Sequence, residues 1–188
     1  MNDQDNPWTR LSSKVVYENP WIRVEDHAVL DPSGRTGQYG KVCFKTRAIA
    51  VLPLDDDGCT TLVGQYRYTL DEYSWELPMG GADAHETPQQ AGERELREET
   101  GLIATHWQPL MRIHTSNSVT DEVGYVFLAR GLSRGQTAPE STEELRITRL
   151  PLAEAHARVI RGEITDALSV AAILRVSTDS SLHNGAAL

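Results

Sequence analysis

The sequence predicts an α/β domain preceded by a small antiparallel β unit, and three features predict it. Short apolar stretches separated by turn residues fill positions 14–45, an unbroken apolar run occupies Ala48 to Leu54, and a helix with both ends specified follows at 88–100. Periods near 2 give way to periods near 3.6 along the chain, which is the pattern of strands first and helices among them.

In the N-terminal part, Val15 to Tyr17, Trp21 to Leu30 and Tyr39 to Lys45 read as strands, with Asp31-Pro32-Ser33-Gly34 as a turn. The composition shifts near Thr46, so residues 1–46 form an N-terminal β unit and residues 47–176 the main domain. Ala48 to Leu54 suits a strand buried on both faces, and the acidic turn Asp55-Asp56-Asp57-Gly58 leads to a second strand, Thr60 to Tyr66. After Trp75 to Leu77, Pro78 and the Gly80-Gly81 pair open a loop. The helix then starts where Thr87 caps it, Pro88 sits where a missing N–H costs nothing, and Gln90 completes a capping box. Gly101 takes the left-handed conformation that ends it after Thr100. Strands at His106 to Ile113, Val123 to Ala129 and Leu145 to Leu150 follow, then helices at Leu152 to Ile160 and Asp166 to Val176. Residues 177–188 are small and polar and are expected as a flexible tail.

Composition bounds the function. The 188 residues are 39% hydrophobic and 24% charged, which places the chain among globular domains of ordinary size. A net charge of -9 repels polyanions, so nucleic acid is excluded as a general partner, while a bound divalent cation can reverse the field inside one cleft. Nothing approaches the roughly 20 apolar residues of a membrane helix, and the polar stretch Met1 to Arg10 has no signal-peptide character. The expectation is a cytoplasmic protein with no membrane partner, whose two cysteines, Cys43 and Cys59, are reduced.

At 100° per residue, Glu95, Glu98 and Glu99 fall on one face of the helix over two adjacent turns. Like charges so placed destabilise an isolated helix by a few tenths of a kcal/mol each. A divalent cation gives them a reason, because a few carboxylate oxygens that leave positions open for water and phosphate are how Mg2+ is usually held. The alternative is a solvated acidic face paired with Arg94 and Arg97.

Written out, the segment is Gly80-x5-Glu86-x7-Arg94-Glu95-Leu96-x-Glu98-Glu99-x-Gly101-Leu102. It resembles the signature of the Nudix hydrolases in full, and a chance match at one starting position is on the order of 10^-9. The resemblance implies an α/β/α sandwich with a mixed sheet and hydrolysis of a nucleoside diphosphate linked to another group. It also implies Mg2+, with Mn2+ as an alternative, held by Glu95, Glu98, Glu99 and the backbone carbonyl of Met79. Arg94 and Glu86 then hold the carboxylates in their working rotamers. The general base is Glu95 in one group of family members. In others it comes from a later loop, here Glu140-Ser141-Thr142-Glu143-Glu144, where Glu143 is favoured by position.

Beyond this box, Gln65-Tyr66-Arg67 and Trp75-Glu76-Leu77-Pro78 are similar to the dimeric ADP-ribose and nucleoside-diphosphate-sugar pyrophosphatases, and the N-terminal strands resemble their dimerisation unit. That likeness implies a homodimer, Arg67 on phosphate or ribose, and Glu76 on a substrate hydroxyl or the partnering arginine. It implies Trp21 and Tyr39 as an aromatic clamp on the base at a subunit interface. Gly40 and Phe44 depart from the adenine-reading pattern, so GDP-mannose or another nucleotide sugar stands beside ADP-ribose as substrate. The polar loop His114 to Glu122 is expected to read the sugar, and a nucleotide-sensing domain without activity is the alternative of another class.

Overall fold

The computed structural model describes residues 5–135 and 145–182, which divide into two compact units. Of the described residues, 5–46 together with 114–123 make one unit, and 47–113 with 124–135 and 145–182 the other.

In the first unit, β1 (Thr9–Glu18), β2 (Ile22–Leu30) and β3 (Thr36–Phe44) form an antiparallel sheet in that order. The β2–β3 turn is tied by Asp31, whose carboxylate accepts from the amides of Ser33 and Arg35 at 2.8 and 3.0 Å. His27, Val29 and Cys43 are its buried side chains. Edge strand β1 is exposed along its whole length and bulges twice against β2. The segment His114–Val123 belongs to this unit: Thr120 forms a parallel bridge with Val42, and Asp121 Oδ1 accepts from the Phe44 amide at 2.9 Å. The polar loop at 114–122, expected to read the sugar, is hydrogen-bonded along β3.

The second unit carries β4 (Arg47–Pro53), β5 (Cys59–Arg67), β6 (Glu72–Glu76), β7 (Met79–Ala82), α1 (Pro88–Thr100), β8 (Leu102–His114), β9 (Val123–Arg134), β10 (Arg146–Pro151), α2 (Leu152–Ile160) and α3 (Ala167–Thr178). Four strands lie in the order β7-β4-β9-β8, with β4 parallel to β9 and antiparallel to β7. Three more form an antiparallel sheet, β10-β5-β6.

The apolar run in β4 explains the layering. Side chains alternate across a strand, so Ile49 and Val51 face one way and Ala50 and Leu52 the other. Ile49 and Val51 pack with Ala91 and Leu96 of α1, and with Phe127 and Ala129 of β9. Ala50 and Leu52 pack with Leu168, Ala172, Ile173 and Val176 of α3, and with Leu62 of β5 and Leu150 of β10. Both faces of the sheet are covered, which is the sandwich that the sequence led us to expect.

The helix ends fall where the sequence places them: Thr87 and Gln90 form the reciprocal capping box, and Gly101 adopts a left-handed φ of 70°. Two expectations are corrected. Met79–Ala82, read as a loop, is a strand, because its backbone pairs with Arg47 to Ala50 although its glycines carry no side-chain pattern. The first part of the tail expected at 177–188 is structured, since α3 runs to Thr178 and a 3-10 turn at Ser180–Leu182 buries Leu182, whose carbonyl accepts from Arg130; residues 183–188 lie outside the described residues.

Candidate active site

α1 presents its apolar side, Ala91, Gly92 and Leu96, to the sheet, and its acidic face follows from that orientation. Glu99 is buried, and its Oε2 accepts from the Met79 amide at 2.9 Å, tying the last turn of the helix to the first residue of β7. Glu95 lies against the next residue of the same strand. A Cβ built on Gly80 would stand 2.1 Å from Glu95 Oε1, so the carboxylate occupies the space that any other residue would fill.

Arg94 sits at the centre of the cluster. Its Nε and Nη2 donate to the two oxygens of Glu86 at 2.9 and 3.0 Å, a bidentate pair. Nη2 also donates to the Gly81 carbonyl at 2.8 Å, and Nη1 to Glu95 Oε1 at 2.7 Å and Glu98 Oε2 at 3.1 Å. The paired guanidinium, and next the Asp83 amide, hold the Glu86 carboxyl down to about 2. Its hydrogen bonds to Glu86, then to Glu95 and Glu98, push Arg94 further up against the opposing effect of its own burial.

Three carboxylates, Glu86, Glu95 and Glu98, thus surround one guanidinium, and Glu99 is held on the same helix by the Met79 amide. Among the described residues no three His, Cys, Asp or Glu groups converge as a ready metal cage. The donor chemistry nevertheless fits a hard divalent cation, and the recess over Gly80 brings the Glu95 carboxylate against the backbone of β7. Mg2+ suits oxygen donors that leave sites for water, whereas the cluster offers no thiolate or imidazole to a softer metal.

The other expected residues fall elsewhere. Arg67 and Glu76 form a pair of their own on the β5–β6 hairpin, where Arg67 Nε donates to Glu76 at 2.9 and 3.2 Å and Nη2 adds a second contact. Arg67 stands opposite Glu72 and Glu76 opposite Val63, so the arginine reaches back along the hairpin to a buried carboxylate. Of the two expected partners for Glu76, the arginine is the one seen. Trp21 and Tyr39 both belong to the first unit and share one face of the β2–β3 ribbon. Tyr39 pairs with His27, and Trp21 lies just before β2, six residues away, or about 20 Å along the strand. Glu140, Glu143 and Glu144 lie outside the described residues. Sequence reasoning missed the Gly81 carbonyl and the Met79 amide as anchors of Arg94 and Glu99, although the Gly80-Gly81 pair marked a close backbone approach.

The NUDIX domain family model matches residues 44–168, and the model of the nucleoside diphosphate sugar hydrolase N-terminal domain matches residues 8–42. An ADP-ribose pyrophosphatase of Mycobacterium tuberculosis is 42% identical over 132 residues, 69% of this chain and 64% of that relative. The chain therefore spans about two thirds of that protein's length. An ADP-ribose pyrophosphatase of Bacillus subtilis is 34% identical over 175 residues, 92% of this chain and 91% of the relative. A crystal structure described as an ADP compounds hydrolase superposes with a TM-score of 0.81 at 22% identity, covering 90% of this chain and 92% of the other, and so shares its fold. A box read first as crowded charge, the sandwich that carries it and the reach of the family model agree, and the chain belongs to the Nudix family of hydrolases.

Proposed function

We propose that this protein hydrolyses the pyrophosphate bond of ADP-ribose or a related nucleoside diphosphate sugar, giving a nucleoside monophosphate and a sugar phosphate. The observation that carries it is the Arg94-centred carboxylate cluster on α1 and β7, complete in every acidic position of the family's box. The name of the N-terminal family model and those of the ADP-ribose pyrophosphatase relatives support a sugar nucleotide as substrate. A purely sensing domain is disfavoured, because nothing in the acidic set has been lost.

Glu95, Glu98, Glu99 and the Met79 carbonyl would hold Mg2+, or Mn2+ in its place, which supplies charge neutralisation at the diphosphate when bound. Arg94 keeps Glu95 and Glu98 in fixed rotamers so that little reorganisation remains when charge develops on the phosphoryl oxygens. The attacking water loses its proton to a carboxylate, Glu95 or the loop residue Glu143, as its oxygen bonds to phosphorus and the bridging P–O bond breaks. The bridging oxygen leaves with the departing phosphate. Arg67, already anchored by buried Glu76, offers its charge to phosphate or ribose.

The working form is a homodimer. β1 is an edge strand whose outer side has no strand partner among the described residues, with Leu11, Val15, Val16 and Tyr17 exposed, which favours a second copy as its cover. No helix of the described residues is long and apolar enough to cross a membrane, and the reading is of a cytoplasmic enzyme.

A hydrolysis screen of ADP-ribose, GDP-mannose and other nucleotide sugars with Mg2+, with products identified by mass, tests this. Nucleoside monophosphate and sugar phosphate in equal amounts are the expected result. Turnover of none of them, or release of inorganic phosphate from nucleoside triphosphates alone, overturns it.

A further inference from the structure

Ser169 is a polar residue shut away from solvent, on a helix whose other buried residues, Leu168, Ala172, Ile173 and Val176, belong to the apolar core. The helix end accounts for its backbone: Asp166 caps α3, and Asp166 Oδ2 accepts the Ser169 amide at 2.8 Å. Almost any residue would supply that amide. The hydroxyl is a further group, and it is engaged twice. It donates to Asp166 Oδ2 at 2.8 Å and accepts from the Leu77 amide at 2.9 Å, from the other side of 92 residues of sequence. An alanine here would keep the cap and the core, so what the hydroxyl adds is its hold on Leu77.

Leu77 is itself wholly buried and lies two residues before β7. Pro78 follows, which fixes its own φ and biases Leu77 to an extended backbone. The Pro78 carbonyl accepts the Val51 amide at 2.9 Å. In an antiparallel pair the N–H and C=O of one residue point to the same side, and the side alternates from residue to residue. Those of Met79 therefore point away from β4, off the sheet edge that has no strand partner among the described residues. On that side the Met79 amide meets Glu99 Oε2 at 2.9 Å, and the Met79 carbonyl faces the same way. Three successive residues are thus held by three elements: Leu77 by α3, Pro78 by β4 and Met79 by α1. Peptide planes are rigid and the proline φ is fixed, so a shift at the Leu77 amide is passed on to Met79.

We propose that Ser169 is a positioning residue for the reaction: through the Leu77 amide it sets the Met79 carbonyl and, through the Met79 amide, the Glu99 carboxylate. The inference rests on the metal-dependent hydrolysis put forward above. It makes α3, which carries none of the acidic box, a part of the site.

The test compares the full-length protein with Ser169→Ala, which leaves Asp166 and the capping amide in place, and with Ile173→Ala, which opens a cavity one turn further along α3. Electron paramagnetic resonance reads Mn2+ binding without substrate, steady-state kinetics at saturating Mg2+ reads ADP-ribose hydrolysis, and thermal unfolding reads stability. Ser169→Ala is expected to bind Mn2+ about tenfold more weakly and to lose about tenfold in kcat, with KM within about twofold, the scale of a lost group that orients metal-binding residues. Ile173→Ala lowers the unfolding midpoint at least as far, yet keeps Mn2+ affinity and kcat near wild type. Should the alanine variant not fold, Ser169→Cys, which offers Leu77 only a weak sulfur acceptor, reads the same quantities. Weakened Mn2+ binding in the Ser169 variant alone, in a protein that cleaves no sugar nucleotide, upholds the positioning role while sinking the proposed reaction. Normal Mn2+ affinity and kcat in that variant, or equal losses in Ile173→Ala, overturn the role and leave the reaction standing.

Discussion

Arg94 donates to three carboxylates and a backbone carbonyl at once, a load that the single ammonium of a lysine cannot carry in the same plane. The residues it orders are the ones whose charge matters. Glu99→Gln keeps an oxygen for the Met79 amide but removes a negative charge, so turnover is expected to fall by a hundredfold or more on the scale of a lost metal-binding group. Circular dichroism and the unfolding midpoint stay near wild type. Turnover close to normal would show that this carboxylate does not serve the reaction. Gly80→Ala attacks the same cluster from the strand side. A methyl group there displaces the Glu95 carboxylate, the far end of a flexible side chain, so the variant is expected to lose activity with little loss of stability, read by kinetics and urea unfolding. A neutral outcome would mean that the Glu95 carboxylate sits elsewhere in solution.

At the scale of elements, the 114–123 segment is tied to β3 by backbone hydrogen bonds with Val42 and by the Asp121 side chain. One oxygen accepts from the Phe44 amide and the other pairs with Lys41 at 2.8 Å. Burial pushes the Asp121 carboxyl up, but the Lys41 hydrogen bond and the Phe44 amide together outweigh it and leave it below its ordinary value. A carboxyl lowered in the folded state stabilises above its unfolded value of about 3.9 and loses that contribution as pH falls through the folded one. In Asp121→Asn the melting temperature is therefore expected to lie below wild type at pH 7 and to converge with it below about pH 4. The effect is small, up to about 1 kcal/mol, because both partners are half exposed. A gap that is constant with pH would assign the contact to hydrogen bonding alone.

The same elements show what a sequence reveals. α1 is legible because Thr87, Pro88, Gln90 and Gly101 each act within one turn of an end, and the sandwich because β4 is apolar on both faces. The charge cluster is legible because helical geometry alone puts Glu95, Glu98 and Glu99 together. β7 escapes, since two of its four residues are glycine and only pairing with β4 makes it a strand. The attachment of 114–123 escapes for a different reason: its bonds join positions 77 and 79 residues apart, and local chemistry carries no sign of them. Arg67 and Glu76 were visible as charges, but their mutual pairing follows from hairpin register, which the turn through Asp71, at a left-handed φ of 56°, sets.

For the whole molecule, net charge and edge exposure point the same way. A net charge of -9 repels like copies, yet among the described residues the outer edge of β1 has no strand partner and is flanked by exposed Leu11, Val15, Val16 and Tyr17. Val15→Lys is expected to halve the particle mass at micromolar concentration in light scattering while leaving the secondary structure intact. A wild-type protein that is already monomeric would remove β1 as the seat of assembly.

The joining of 114–123 to β3 bears on how such a protein can be cut or recombined. Two stretches far apart in the gene fold into a single body, so excision at Thr46 strips Val42, Phe44 and Lys41 from under Val119, Thr120 and Asp121 and strands their amides and carbonyls in water. The amino-terminal quarter is thus no detachable module, and a graft onto another hydrolase has to carry the distant decapeptide with it.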